Sequence, residues 1–183
     1  MKKTNPHPMS DDHKNFQIRL LKKKDTKDYF QLIESNRERL KRYFPVTVSE
    51  IMDMEDCTCY VAKKVRQAKK KKMFVYVVFE KEKMIGALIV KNIDWRIPKA
   101  ELAYFIDGEY EGRGIMSGAM KWLTEYCFRE LGMNKLFINL SPKNKASQQL
   151  ALKSGFQLEG VLRQEFRIET GEVEDIEYYG KLR

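Results

Sequence analysis

Histidine is almost absent from this chain of 183 residues. The two that occur, His7 and His13, stand in a polar, proline-containing stretch at the N-terminus. A Ser-His-Asp triad or a Cys-His pair needs an imidazole beside its nucleophile. The composition therefore excludes both kinds of catalytic site from the rest of the chain.

Cysteine is also scarce. Cys57, Cys59 and Cys127 are too few and too irregularly spaced for a disulfide framework, so we expect a protein of the reducing cytoplasm. A metal site at Cys57 and Cys59 would lack companion ligands. We therefore expect no metal, and thiols that are buried or half-buried in the core.

Long apolar runs are missing as well, since none approaches the roughly 20 residues of a membrane span. The first 15 residues have no apolar segment of the signal-peptide kind. Hydrophobic residues make up 43% and charged residues 33%, a globular composition. We predict a disordered tail at residues 1–15, a single domain at residues 16–183 and no membrane partner.

Positive charge is abundant, with a formal net charge of +9. Such a balance favours anionic partners, namely nucleic acid, the phosphates of a cofactor or an acidic protein. Seven basic residues form a run: Lys63, Lys64, Arg66, Lys69, Lys70, Lys71 and Lys72. The run has two interpretations, a solvated helix end or a docking patch.

Hydrophobic periodicity predicts a mixed α+β fold. Predicted strands cover residues 16–21, 73–79, 84–93, 100–106, 135–140, 156–168 and 172–182, and predicted helices cover residues 26–44, 49–70, 114–131 and 144–154. The first helix would be capped by Lys24 and Asp25 and ended by Pro45. Hairpins early and late in the chain favour a mostly antiparallel sheet flanked by helices.

A glycine-containing turn leads from the strand at 100–106 straight into the helix at 114–131. Helix N-termini carry unpaired N–H groups and partial positive charge, and glycine lets the backbone approach an anion. A pyrophosphate loop is therefore predicted at Glu111, Gly112, Arg113, Gly114, Ile115 and Met116. The nucleotide P-loop does not fit, because Ile115 and Met116 stand where Lys and Ser or Thr are needed.

The loop resembles the acyl-CoA loop of the GCN5-related N-acetyltransferases (GNAT), written Gln/Arg-x-x-Gly-x-Gly/Ala. Gly114 matches the central glycine, while Glu111 and Met116 depart from the pattern. A second resemblance is Asn144-x-x-Ser147, followed by a Gly-Phe pair at the end of the same helix. Asn144 is also a natural N-cap by its chemistry.

The resemblance implies a GNAT fold, a seven-stranded sheet splayed between the strands at 100–106 and 135–140, with acetyl-CoA as cosubstrate. The residues implied to bind the cofactor are Ala103, Tyr104, Phe105, Ile106, Glu111, Gly112, Arg113, Gly114, Ile115, Met116, Ser117, Asn139, Asn144 and Ser147.

The chain as a whole is most similar to the Rim-type branch, which acetylates the N-termini of ribosomal proteins. The similarity rests on residues 18–25, 100–104, 144–147, 159–163 and 171–179. That branch implies catalysis by Ser147, as acid for the leaving thiolate, and by Glu165 as base. Glu101 is a second candidate base. Two purely structural roles stay open as alternatives, Ser147 as a helix-cap residue and Glu101 as an ion-pair residue.

The expected reaction is direct transfer of acetyl to a primary amine, since no histidine or obvious active-site cysteine stands ready to carry the group. The expected acceptor is a protein N-terminus, most simply a ribosomal one. The alternatives are a small amine (polyamine, amino acid or aminoglycoside) and, remotely, a non-catalytic basic module that binds RNA or the ribosome. We expect a monomer or homodimer that meets nucleic acid only through the ribosome.

Overall fold

The computed structural model describes residues 16–168 and 170–183, so the predicted tail lies outside the described residues. Seven strands form one sheet in the order β1-β2-β3-β4-β5-β7-β6. They are β1 (Phe16–Leu20), β2 (Phe74–Glu80), β3 (Lys83–Asp94), β4 (Lys99–Ile106), β5 (Lys135–Leu140), β6 (Gln157–Arg167) and β7 (Val173–Leu182).

Neighbouring strands are antiparallel with one exception, the parallel pair of β4 and β5. β2 and β3 join through a short turn and form the predicted hairpin, as β6 and β7 do. A parallel pair needs a long crossover, and a helix supplies it here. The predicted mixed, mostly antiparallel sheet of seven strands is confirmed.

The helices pack on both faces of the sheet. They are α1 (Thr26–Ser35), α2 (Arg37–Tyr43), α3 (Pro45–Ser49), α4 (Met54–Lys69), α5 (Ile115–Arg129) and α6 (Lys145–Lys153). Because side chains alternate along a strand, β2 sends Val75 and Val77 into the core under α1 and α4, and Tyr76 and Val78 into the core under α5.

The single helix predicted at residues 26–44 is wrong, because it breaks at Asn36. The Asn36 side chain donates to Leu32 O and accepts from Arg39 and from the backbone N–H of Gly108. These tertiary contacts hold Asn36 at the junction of α1 and α2. Asp25 stands at the N-cap of α1, as predicted, but its carboxylate makes no capping bond to this helix. It accepts instead from Arg19 at 2.6 and 2.8 Å and from the backbone N–H of Lys22 at 2.8 Å.

The next helix also differs from its prediction. α4 begins at Met54 rather than residue 49, because Asp53 caps it by accepting the N–H of Asp56 at 2.9 Å. Pro45 does not simply end a helix but opens the short α3 at its first position. Cys57 and Cys127 are buried, but Cys59 is exposed, contrary to the prediction that the thiols are buried or half-buried.

Across residues 16–168 and 170–183, no helix combines the length and hydropathy needed to cross a bilayer. The same residues contain no group of three or more His, Cys, Asp or Glu side chains arranged to hold a metal ion.

Candidate active site

A gap opens in the middle of the sheet between β4 and β5. The two strands pair only at their starts, where Lys99 to Glu101 face Lys135 to Phe137. Beyond this point β4 continues to pair with β3, and β5 with β7. The inner edges of the two strands therefore separate and leave backbone groups of residues 102–106 facing the gap.

The glycine loop, residues 111–114, lies beyond the end of β4 and leads directly into α5. Gly112 and Gly114 have φ values of +72° and +73°, and Gly114 is the N-cap residue of the helix. A Cβ built on either glycine meets no atom within 4 Å. The loop thus combines a backbone conformation that favours glycine with open space in front of a helix N-terminus, which suits an anion.

The charged side chains of the glycine loop already have protein partners. Arg113 donates to the backbone oxygen of Glu109 at 2.8 Å, and its guanidinium lies 4.7 Å from the centre of the Tyr110 ring. Glu111 pairs with Arg39 of α2. Arg113 is therefore held beside the start of α5, while Glu111 is turned to a cation on the other face of the sheet.

The start of α6 lies across the gap from β4. Asn144 Oδ1 accepts the N–H of Ser147 at 3.1 Å, which confirms Asn144 as the N-cap. The Tyr104 hydroxyl donates to Ser147 O at 3.3 Å. Burial raises the pKa of Tyr104 to about 12, so this hydroxyl stays protonated at neutral pH.

A cavity of about 420 Å³ runs through this gap. Seven of the predicted site residues line it: Glu101, Ala103, Tyr104, Asn139, Asn144, Ser147 and Glu165. Phe105 and Ile106 do not line it, and neither do the predicted residues from Glu111 to Ser117. Phe105 instead packs in the core against Phe44, with ring centres 5.2 Å apart.

The two candidate carboxylates have different surroundings. Glu101 is buried, and its oxygens contact Lys91 Nζ at 3.0 Å and Asn92 Nδ2 at 2.5 Å. Lys91 faces Glu101 directly in the β3–β4 register. Glu165 is exposed, lies where β6 loses register with β7, and makes no ion pair with any described residue.

The far side of the cavity is formed by residues outside the predicted catalytic and cofactor-binding set. This helical wall comes from α2, α3, α4 and the residue joining α2 to α3: Tyr43, Phe44, Pro45, Val46, Thr47, Tyr60 and Lys64. These residues have no signature spacing in the sequence. Only their packing under β2 and β3 brings them to the gap.

A buried carboxylate joins the helical wall to the opposite side of the cavity. Glu174 of β7 accepts from Arg42 at 2.6 Å, from Lys143 at 2.7 Å and from Ser141 at 2.9 Å. The hydrogen bond from Lys143 lowers the pKa of Glu174; burial opposes this, and Ser141 and Arg42 reinforce it. Glu174 is thus a charged link between α2 and the loop before α6.

Comparison with known proteins gives consistent matches. A family profile described as an acetyltransferase (GNAT) domain matches residues 15–157. The putative ribosomal N-acetyltransferase YdaF of Bacillus subtilis (strain 168) is 29% identical over 167 residues, 91% of this chain and 90% of that protein.

Of two further matches, one adds a small amine to the acceptors among similar proteins, and the other shows a likeness of fold. The spermidine N(1)-acetyltransferase of Escherichia coli (strain K12) is 24% identical over 151 residues, 82% of this chain and 77% of that protein. The structure of RimL, a ribosomal L7/L12 α-N-protein acetyltransferase in complex with coenzyme A, superposes with a TM-score of 0.87. It covers 96% of each chain at 22% identity, a likeness of fold.

Proposed function

This chain belongs to the acetyltransferase (GNAT) family, and on that premise we propose that it moves the acetyl group of acetyl-CoA to the N-terminal α-amine of a protein. The observation that carries the proposal is the single cavity through the gap in the sheet. Ser147 and Asn144 line it on the α6 side, and the helical wall lines it on the other. Thioester and amine can therefore meet in one ternary complex.

The cofactor is assigned to the gap and to the glycine loop. Open space at Gly112 and Gly114, in front of the N-terminus of α5, supports binding of the pyrophosphate there. The pantetheine arm would lie along β4 and use backbone groups of residues 102–106. A backbone N–H of this segment would then polarise the thioester carbonyl as the amine attacks its carbon.

Acceptance of the proton is assigned to Glu165, and stabilisation of the leaving sulfur is assigned to Ser147. Both oxygens of Glu101 are engaged by Lys91 and Asn92, so a proton on Glu101 would weaken a buried ion pair. Glu165 makes no ion pair with any described residue and takes the proton of the attacking amine. The sulfur departs as a thiolate, to which the Ser147 hydroxyl donates a hydrogen bond.

The α-amine is the chemically easier acceptor for this site. Its ordinary pKa of about 7.7–8.0 leaves roughly a tenth or more of it neutral at pH 7, whereas a lysine amine near 10.4 is almost fully protonated. Among the described residues that line the cavity there is no histidine and one exposed carboxylate, Glu165, which suits an amine of low pKa. This argument favours N-termini over lysine side chains.

A small amine such as a polyamine is the second candidate, favoured by the similarity to the spermidine enzyme. One charge of the cavity argues against it. Lys64 of the helical wall lines the cavity and forms no ion pair with a described carboxylate, whereas Lys91 is paired with Glu101. A polycation would have to enter beside the Lys64 ammonium.

The test is to incubate the purified protein with labelled acetyl-CoA and either a protein lysate or spermidine, and to locate the label by mass spectrometry. We expect label on protein N-termini. Efficient labelling of spermidine or of internal lysines, with N-termini untouched, would overturn the proposal.

A further inference from the structure

One member of the basic run differs from the others in its position. Lys64 is half-buried and lines the cavity, whereas the rest of the run is exposed around the end of α4. Tyr60 precedes it by one turn, and the Lys64 ammonium lies 4.5 Å from the centre of the Tyr60 ring. The run is thus a solvated helix end with a single lysine turned to the proposed acceptor side.

Lys64 also differs in its ion pairing from Lys63 and Lys91, the two lysines whose charges act on it. Lys63 is 2.7 Å from Glu50, and Lys91 is 3.0 Å from Glu101. Among residues 16–168 and 170–183, no carboxylate lies within the 4.0 Å ion-pair distance of Lys64. The cavity therefore contains an ammonium group whose charge the described part of the protein does not pair.

The surroundings of Lys64 favour an incoming anion. Burial lowers the pKa of Lys64 from its ordinary value, the charges of Lys63 and Lys91 add to this effect, and Glu50 opposes it. A carboxylate brought into the cavity would offset the desolvation of the ammonium and form a charge-assisted hydrogen bond. The Tyr60 ring stabilises the cation but supplies no full counter-charge.

We propose that Lys64 selects acceptors that carry a carboxylate close to the reacting amine, specifically an acidic side chain on the second residue of a protein N-terminus. This inference rests on the proposed function and names its substrate class. A sphere with the volume of this cavity would be roughly 9 Å across. The side-chain carboxylate of a second residue lies roughly 5–8 Å from the α-amine of an extended peptide, a span that fits.

The experiment measures kcat/KM for two amidated peptides, Ser-Asp-Ala-Ala and Ser-Asn-Ala-Ala, which differ only in the charge of the second side chain. Free serine and serinamide form a parallel pair that tests an α-carboxylate as the alternative source. The proteins are the wild type, Lys64→Met and the matched control Lys63→Met. Because each comparison is a ratio within one protein, any loss of folded fraction cancels.

We expect the wild type and Lys63→Met to prefer the Asp peptide by about 10- to 100-fold, and Lys64→Met to retain less than about a 3-fold preference. Turnover of both peptides with no preference in the wild type, or with a preference that survives in Lys64→Met, would overturn the inference and leave the proposed function standing.

Serine and serinamide can show the reverse case, in which carboxylate recognition by Lys64 survives and the proposed function fails. Turnover of serine but not of serinamide or either peptide, abolished in Lys64→Met, would support carboxylate recognition by Lys64. The same result would overturn both the protein terminus as acceptor and the second-residue side chain as the source of the carboxylate. Turnover of none of the four amines would overturn both proposals.

Discussion

The glycine loop before α5 and the helical wall of the cavity present two different kinds of surface. The loop relies on backbone: two glycines with positive φ, open space and a helix N-terminus. The helical wall relies on side chains from separate helices, such as Tyr43 of α2 and Lys64 of α4. We infer that one side recognises a constant ligand through main-chain groups and the other recognises a variable acceptor through side chains.

This difference predicts where substitutions act. A phosphate group needs closely spaced N–H donors, which any sequence of suitable backbone shape provides. An acceptor is distinguished from its competitors by charge and shape, which only side chains provide. Changes in the glycine loop should therefore affect cofactor binding for every acceptor, while changes in the helical wall should alter the choice among acceptors.

The largest expected effect is that of Gly114→Val. Valine strains a backbone at φ +73° and fills the open space before α5, so two or more charge-assisted hydrogen bonds to phosphate should be lost. We expect coenzyme A to bind about 1,000-fold more weakly by calorimetry. Gly132→Val, at φ +69° beyond the other end of α5, is the matched control for backbone strain. Equal losses of affinity in both variants would contradict the loop assignment.

Glu165→Gln should come next, with kcat/KM reduced about 100-fold at pH 7. The loss should shrink towards pH 9, because the acceptor amine then deprotonates without help. Glu101→Gln should reduce kcat/KM by a smaller factor, and that loss should not shrink towards pH 9, since Glu101 holds Lys91 and Asn92. A pH–rate profile of both variants is the measurement. The opposite pattern would make Glu101 the base.

Ser147→Ala should have a smaller effect, about 30-fold on kcat, with coenzyme A affinity within a few-fold of the wild type. Asn144, not the Ser147 hydroxyl, caps α6. Stability should therefore change little in Ser147→Ala, whereas Asn144→Ala should lose about 1 kcal/mol of unfolding free energy. Unchanged kcat in Ser147→Ala would remove Ser147 from the chemistry.

Glu174→Gln should have the smallest effect, about 1–2 kcal/mol of unfolding free energy at pH 7, through weaker bonds to Arg42 and Lys143. The pKa of Glu174 is lower in the folded protein than in the unfolded chain, where it is near 4.5. The stability that the ionised carboxylate contributes is therefore fully present above pH 4.5, and it is lost as the pH falls through the folded-state pKa. In urea unfolding, the difference in unfolding free energy between the wild type and Glu174→Gln should be smaller at pH 3 than at pH 7. Glu172 is exposed, and Glu172→Gln is the control, for which we expect the unfolding free energy of the wild type at both pH values.

The sequence by itself determined what depends on neighbouring residues. A glycine conformation, a helix N-cap and the alternation of a strand each involve a few consecutive positions. The glycine loop, the Asn144 cap, the seven strands and the family could therefore be predicted before the fold was known. The order of elements then implied the gap through the family resemblance, although no single motif encodes it.

Only the tertiary structure decided what depends on distant residues. The break at Asn36 follows from contacts with the loop at Gly108, 72 positions away. The engagement of Glu101 by Lys91 follows from the β3–β4 register. The basic run looked uniform along the chain, but packing of α4 on the sheet turned Lys64 alone to the cavity and left its neighbours in solvent. The burial and the ion pairing of a side chain depend on residues that are distant in the sequence and that folding brings together. The local sequence therefore does not predict them.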